Sequence, residues 1–322
     1  MYHSISDSEE AGVAPYYKIC TSPRRFAEHM QWLADWGYRC VTISEGLAML
    51  GQAGQEARDK GQGIADNTSH VRSSKGQVTS PKPQPPSHKS ELNGTFDLGP
   101  GTSTPSHLHP HFHFNAHSPP EKLVALTFDD GFRDFFTEAF PILKRHNYSA
   151  TMYLPTAYIG DKRCSFNSRE CLTWDEVREL HKAGIEFGAH SVNHPEVEKL
   201  SWPRIEDELR ESKSMIERQL SDAVTGFAYP YAFPQSDRLY VRQFRNILPA
   251  CGYRSCVTTA IGRTKPGDDA LHLTRLPANT EDDHPLLAAK LRGDYDWMAG
   301  LQRAYKAMKP AFPALRKLAN PI

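Results

Sequence analysis

Short apolar runs alternate with helical stripes along most of this chain, and one long polar stretch interrupts them. Leu123, Val124, Ala125, Leu126 and Phe128 form an apolar run of strand length, as expected for a buried strand. Asp129 and Asp130 stand at its end, and Gly131 permits a sharp turn into a helical segment. Upstream, Tyr2 to Ile5 predicts a first short strand. Ser22-Pro23 offers an N-cap and an N1 proline. Phe26, Met30, Leu33 and Trp36 follow at helical spacing, and Gly37 closes that helix. Tyr38 to Ile43 reads as a strand and Ser44 to Leu50 as a helix. The chain therefore opens β-α-β-α, the alternation of a parallel α/β fold.

Downstream the same rhythm resumes. Phe135, Ala139, Ile142 and Leu143 trace a helix face with a kink expected at Pro141. Ala150 to Leu154 is the next strand. Thr173 caps a helix through Trp174, Val177 and Leu180 that ends at Gly184. Strands are expected over Ile185 to His190, Val224 to Tyr231, Arg254 to Thr259 and Leu271 to Pro277. Helices are expected over 203–220 and 237–250, and basic helical segments over 284–322. About seven strand–helix repeats result, enough for a barrel and compatible with an open sheet.

The interruption changes the domain picture. Residues 51–120 are rich in Gln, Gly, Ser, Asn, Pro and Lys, and Pro81-Lys-Pro-Gln-Pro-Pro86 cannot continue a helix or a central strand. With so little to bury, 51–120 is expected to be a disordered low-complexity insertion. It separates the first β/α elements, 1–50, from a catalytic core, 121–283, which a helical tail, 284–322, follows. The insertion ends in a His tract, 107–117, which could bind transition metals loosely or be low-complexity sequence without function. Asn67 and Asn93 match the glycosylation pattern.

Composition excludes more than it proposes. Lys plus Arg equals Asp plus Glu at 38 each, so no global field selects nucleic acid as a partner. No apolar run approaches the roughly 20 residues of a membrane helix. The start has no basic n-region and apolar h-region, which gives no signal peptide and a cytoplasmic expectation. That start also reads like the inside of a strand, so an upstream exporting segment would fit. Six cysteines are scattered with no C-x-x-C. Cys164 with Cys171, or Cys251 with Cys256, could pair in an oxidising compartment; a reduced, structural role is the expectation.

Three strand ends carry the candidate chemistry. Adjacent carboxylates repel, so Asp129-Asp130 is either a capped turn or a site where one binds a metal and the other takes a proton from activated water. His190-Ser-Val-Asn-His194 follows another strand; Pro195 disfavours a helix there, and a turn can still aim both imidazoles at one ion. In parallel α/β folds the strand C-termini share one face, so these groups would converge. Two imidazoles and one carboxylate leave metal positions open for water and substrate. At a third strand end, Tyr229-Pro230-Tyr231 offers a stiff turn, an aromatic face and a backbone N–H, or simply a Pro-containing loop with core aromatics.

Thr127-Phe-Asp-Asp-Gly131, His190-Ser-x-x-His194 and Phe227-Ala-Tyr-Pro-Tyr231, in that order, resemble the motifs of the NodB-type polysaccharide deacetylases, which are carbohydrate esterases. Tyr2-His-Ser-Ile5 and Leu172 to Leu180 look most like the exopolysaccharide branch. The resemblance implies a distorted (β/α)7 barrel of the NodB homology type. It implies Asp130, His190 and His194 as ligands of one divalent ion, zinc first and cobalt, nickel or manganese as alternatives, with Asp129 as general base. The implied reaction is hydrolysis of N-acetyl groups on an N-acetylated glycan, with Tyr231 and Pro230 on the substrate side.

The chain departs from the pattern at three places. Ala228 stands where many relatives carry the Arg that orients the base, and Ala232 stands where a Gly follows the aromatic. Arg275, on the last strand, is the candidate replacement cation. The late Leu-x-His motif that supplies the acid is not clear, since Leu271-His272-Leu273 has another order; His3 could reach the site from the first strand. His3 and Arg275 thus join the substrate-side group. Rival expectations are a cyclic-amide hydrolase on the same fold, a carbohydrate-binding protein that has lost catalysis, and metal storage by the His tract.

Overall fold

A computed structural model describes residues 1–14, 18–51 and 122–308. The expected insertion apart from Gly51, its His tract, Asn67, Asn93 and residues 309–322 fall outside the described residues. The strands are β1 (Ser4–Ile5), β2 (Cys20–Thr21), β3 (Tyr38–Val41), β4 (Lys122–Ala125), β5 (Thr127–Phe128), β6 (Thr151–Leu154), β7 (Ser165–Phe166), β8 (Arg169–Glu170), β9 (Glu186–Ala189), β10 (Gly226–Ala228), β11 (Ser255–Ile261) and β12 (Leu273–Arg275).

Six of them form one parallel sheet in the order β12-β11-β10-β9-β6-β5. The first residues of the chain close it. Tyr2 bridges Phe128 in parallel, donating to Thr127 O at 2.8 Å and accepting from Asp129 N–H at 3.1 Å. On the other side the Met1 nitrogen donates to Leu276 O at 2.9 Å, and Ala278 N–H donates to Met1 O at 2.9 Å. Met1 and Tyr2, leading into β1, thus bridge β5 and the chain just past β12 as a seventh stave, and the fold is a distorted (β/α)7 barrel.

Side chains alternate across these strands. Met152 and Leu154 of β6, Phe227 of β10 and Cys256 of β11 join the large core beneath the helices. Their neighbours Tyr153, Ala228 and Val257 join Leu273 and Ile43 in a second, smaller cluster that fills the barrel interior. The helix Pro23–Asp35 buries Phe26, Met30 and Leu33 against the outer layer, with Ser22 accepting from Arg25 N–H as its N-cap. A fully buried side chain of this size contributes about 1.5–3 kcal/mol. Gly188 is required by this packing: a Cβ there would meet Tyr153 Cε1 at 2.4 Å.

Three expectations are corrected. Pro141 does not kink a continuous helix. A π-helical turn, Phe135–Ala139, precedes the α-helix Phe140–Arg145 and leaves Pro141 in its first turn, where a missing N–H costs little. The last strand is shorter than Leu271 to Pro277, because a 3-10 turn, Ala270–His272, capped by Asp269 precedes it. A β7–β8 hairpin was not expected at all. Its two-residue turn, Asn167-Ser168, has both residues at positive φ (47° and 62°), as a type I′ turn demands. In the tail, the helices His284–Arg292 and Met298–Met308 are described. No helix among the described residues is long and apolar enough to cross a membrane.

Candidate metal centre and catalytic site

Because β5, β9, β10 and β12 run parallel, their C-terminal ends deliver Asp129, Asp130, His190, Tyr231 and Arg275 to one end of the barrel, where His3, the residue before β1, joins them. The turns that do this are strained. Asp130 (φ 73°), Ser191 (65°), His194 (51°) and Tyr231 (55°) all occupy the left-handed region, which costs a non-glycine residue of order 1–3 kcal/mol and persists only where surroundings over-determine it. Gly131 follows at φ 63°, and a Cβ there would strike Leu154 at 2.9 Å.

The surroundings that fix His194 are polar. Ser191 Oγ accepts from His194 N–H at 3.0 Å. Glu208, buried on the helix Trp202–Leu220, accepts from Val192 N–H (2.7 Å), Asn193 N–H (3.0 Å) and the Asn193 amide (2.8 Å). The third turn is held by Thr259, whose hydroxyl donates to Tyr231 O and accepts from Phe233 N–H, both at 2.9 Å. Phe166 of the hairpin walls the other side, its ring 5.0 Å from that of His194. Sequence reasoning missed Glu208 and Phe166. Glu208 is one acid among several on a charged helix, and the hairpin turn lacks the glycine that would have marked it.

Asp130, His190 and His194 converge, each offering one ligand atom within 4.8 Å of the others. Asp130 Oδ1 lies 3.5 Å from His190 Nε2 and 3.4 Å from His194 Nε2, long for direct hydrogen bonds. Ligands at about 2.0–2.1 Å with tetrahedral angles stand about 3.3–3.4 Å apart, so the spacing fits a four-coordinate ion. Asp130 Oδ1 is buried without a hydrogen-bond partner, which a metal would remedy. The Nδ1–H of His190 is directed at Ala228 O at 2.8 Å, which leaves Nε2 as the free lone pair, a common arrangement of metal-ligating histidines. Burial, then the neighbouring His190 charge, pushes His194 down to about 4, so it is neutral and able to ligate; burial would lower His190 as well, but the Asp130 hydrogen bond and the two aspartate charges raise it, and an ion would have to displace that proton. The residues present fit a divalent ion.

Asp129 stands apart from this triad. Arg275 grips both its oxygens, Nη1 to Oδ1 and Nη2 to Oδ2, each at 2.7 Å. Burial would raise the Asp129 pKa, but the Arg275 charge, with help from His190 and His3, holds it far below the usual carboxylate range. Arg275 also donates from Nε to Thr258 O at 3.0 Å and is itself buried. Its donors are therefore turned to the protein; the substrate-contact grouping gives way to a positioning contact on Asp129. It enters from β12 two residues after Leu273 and so on the same face, and Leu273 belongs to the interior cluster that also holds Ala228. His3 Nε2 lies 3.9 Å from Asp129 Oδ2, and burial lowers its pKa. His272 sits on the 3-10 turn with its ring 4.9 Å from Phe233. Pro230 is buried. Tyr231 is 46 % exposed, its ring 4.5 Å from His194.

A parallel barrel with a two-histidine, one-carboxylate donor set beside an arginine-held aspartate defines the class of hydrolytic α/β-barrel enzymes. Comparison with known proteins narrows the class. Residues 116–255 match the family model described as "Polysaccharide deacetylase". The Bacillus subtilis (strain 168) protein "Putative polysaccharide deacetylase YxkH" is 28% identical over 278 residues, 86% of this chain and 70% of that one. A poly-beta-1,6-N-acetyl-D-glucosamine N-deacetylase of Staphylococcus aureus is 27% identical over 131 residues, 38% of this chain and 44% of its own length. Among solved structures, the Streptococcus pyogenes deacetylase PplD in complex with acetate aligns with a TM-score of 0.59 at 22% identity, over 90% of this chain and 95% of that one. Residues 116–255 thus carry a polysaccharide deacetylase domain, the fold is that of the NodB-type deacetylases, and the chain is an enzyme of the hydrolase class.

Proposed function

We propose that this deacetylase removes N-acetyl groups from an N-acetylated glycan, with Asp130, His190 and His194 holding one divalent ion and Asp129 as general base. The observation that carries this reading is the division of labour between two adjacent aspartates. One has an orphaned oxygen beside two imidazoles; the other is gripped by Arg275 and kept ionised. When bound, a divalent ion supplies Lewis acidity, making water a nucleophile near neutral pH and polarising the acetyl carbonyl. Zinc suits two imidazoles and one carboxylate.

Asp129 accepts the proton of the attacking water. Its low pKa makes it a modest base, so its value lies in orientation and permanent ionisation. The Tyr231 N–H is offered to the oxyanion as the acetyl carbon becomes tetrahedral, and the exposed Tyr231 ring gives a sugar ring a face to pack on. The departing sugar amine needs a proton. His3 stands beside Asp129, and the lowered pKa of its imidazole makes the protonated form a ready donor to an amine. Acetate and a free amine result. The Staphylococcus relative's name supports β-1,6-linked N-acetylglucosamine as the glycan to try first.

The test is Asp129→Asn, with zinc binding followed by calorimetry and acetate release followed on N-acetylglucosamine oligomers. Turnover should fall by two or more orders of magnitude, the usual scale of general base catalysis, while zinc still binds. Loss of zinc together with turnover would move Asp129 into the ligand set and overturn the assignment.

A further inference from the structure

The β7–β8 hairpin brings two cysteines to face each other. Its register pairs Ser165 with Glu170 and Phe166 with Arg169. One step further from the turn, Cys164 stands opposite Cys171, and Cys171 N–H donates to Cys164 O at 3.0 Å. Directly opposed residues of an antiparallel pair point to the same face. At a hydrogen-bonded pair their Cα atoms lie about 5.5 Å apart, inside the 4.4–6.8 Å window of a disulfide. Both thiols are free in this structure. Cys164 is partly exposed and Cys171 buried, with their sulfurs turned toward Lys162 O and Arg169 O.

The same strand is stitched to the catalytic turn. Leu172 N–H donates to Gly131 O and Arg133 N–H to Glu170 O, each at 2.8 Å, and Phe132 bridges Cys171. Phe166, on the opposite arm, rests on His194. The two arms therefore link the turn carrying Asp130 to the ring that walls His194.

We propose that Cys164 and Cys171 are a redox pair that closes as a cross-strand disulfide and clamps this hairpin against the Asp130–His190–His194 triad. A small-molecule disulfide is the oxidant. The partly exposed Cys164 sulfur, as thiolate, attacks it and expels one thiolate. The Cys171 sulfur then attacks the mixed disulfide and expels the second. Two protein S–H bonds are lost, one S–S bond forms, and the oxidant leaves as two thiols. Closing the bond turns both side chains about χ1 while the Cys171 N–H to Cys164 O contact holds the backbone.

The test uses the full chain with and without oxidised glutathione, followed by alkylation, proteolysis and mass mapping. The expected product is a peptide pair joined through Cys164 and Cys171, lighter than the reduced pair by two hydrogens and absent from Cys164→Ser. In the parent, Tm should rise on oxidation and zinc should leave more slowly to a chelator, with Cys164→Ser indifferent to oxidant in both. Recovery of both thiols alkylated, of Cys164 carrying glutathione alone, or of Cys164 joined to another cysteine would overturn the pairing. A mapped disulfide with unchanged Tm and zinc release would overturn the clamp. The mapping needs no turnover, so its result is independent of the proposed deacetylation.

Discussion

A carboxylate buried beside two imidazoles and a second carboxylate is tolerable only if a cation accompanies it, and Arg275 is that cation for Asp129. Removing one partner of a buried pair strands the other, at a cost of about 3–5 kcal/mol. Arg275→Met should lower stability by that amount in urea melts and abolish acetate release. Arg275→Lys keeps the charge but loses the two-pronged grip, so the fold should survive while kcat falls. A Lys variant with parental kcat would show that orientation of Asp129 is unimportant. A quieter residue lies below. The Tyr153 hydroxyl is fully buried with no hydrogen-bond partner among the described residues. An unsatisfied polar group costs about 1–3 kcal/mol, so Tyr153→Phe should raise Tm; a clear fall would mean that the hydroxyl is satisfied by a buried water.

At the level of elements, the site depends on turns that strain pays for and neighbouring elements hold. Glu208 spends both carboxylate oxygens on the loop between His190 and His194. Substituting groups that orient metal ligands typically costs 10–100-fold in affinity. Glu208→Ala should weaken zinc binding by about tenfold or more, read by competition with a chromogenic chelator, and unchanged affinity would refute a positioning role. The strands that lead to the site were legible because their apolar runs stop at Asp129 and His190, and the resemblance to the deacetylase motifs then named Asp130, His190 and His194 as the triad. Arg275 could be named but not oriented, since nothing local tells which face of a three-residue strand looks inward. Glu208 was hidden among Glu206, Asp207 and Glu211 on one charged helix. The hairpin was invisible because Asn167-Ser168 lacks the usual glycine, and the last strand was overdrawn because Asp269 caps a turn inside its apolar run.

For the molecule as a whole, closure of the ring rests on the first residues of the chain, and a buried polar chain secures them. Tyr2 OH meets His29 Nδ1 at 2.9 Å, and His29 Nε2 meets Asp282 O at 2.7 Å. Asp282 is paired with Lys290, which also donates to Pro277 O at 2.8 Å. Burial pushes His29 below its ordinary 6.5, offset only in part by the Asp282 carbonyl. The unfolded chain therefore binds that proton first, so this contribution to stability is present above pH 6.5 and is lost as pH falls through the folded value. Tm of the parent should drop on acidification below that point more steeply than Tm of His29→Gln; parallel curves would contradict it.

The most direct measurement on the proposed chemistry is acetate release from N-acetylglucosamine oligomers while zinc is titrated into metal-stripped protein, beside Asp130→Ala. Release that climbs in proportion to bound zinc, saturates at one ion per chain and is absent from Asp130→Ala is expected. Acetate release by the metal-stripped chain, or by Asp130→Ala at parental rate, would contradict a catalytic ion held by Asp130, His190 and His194.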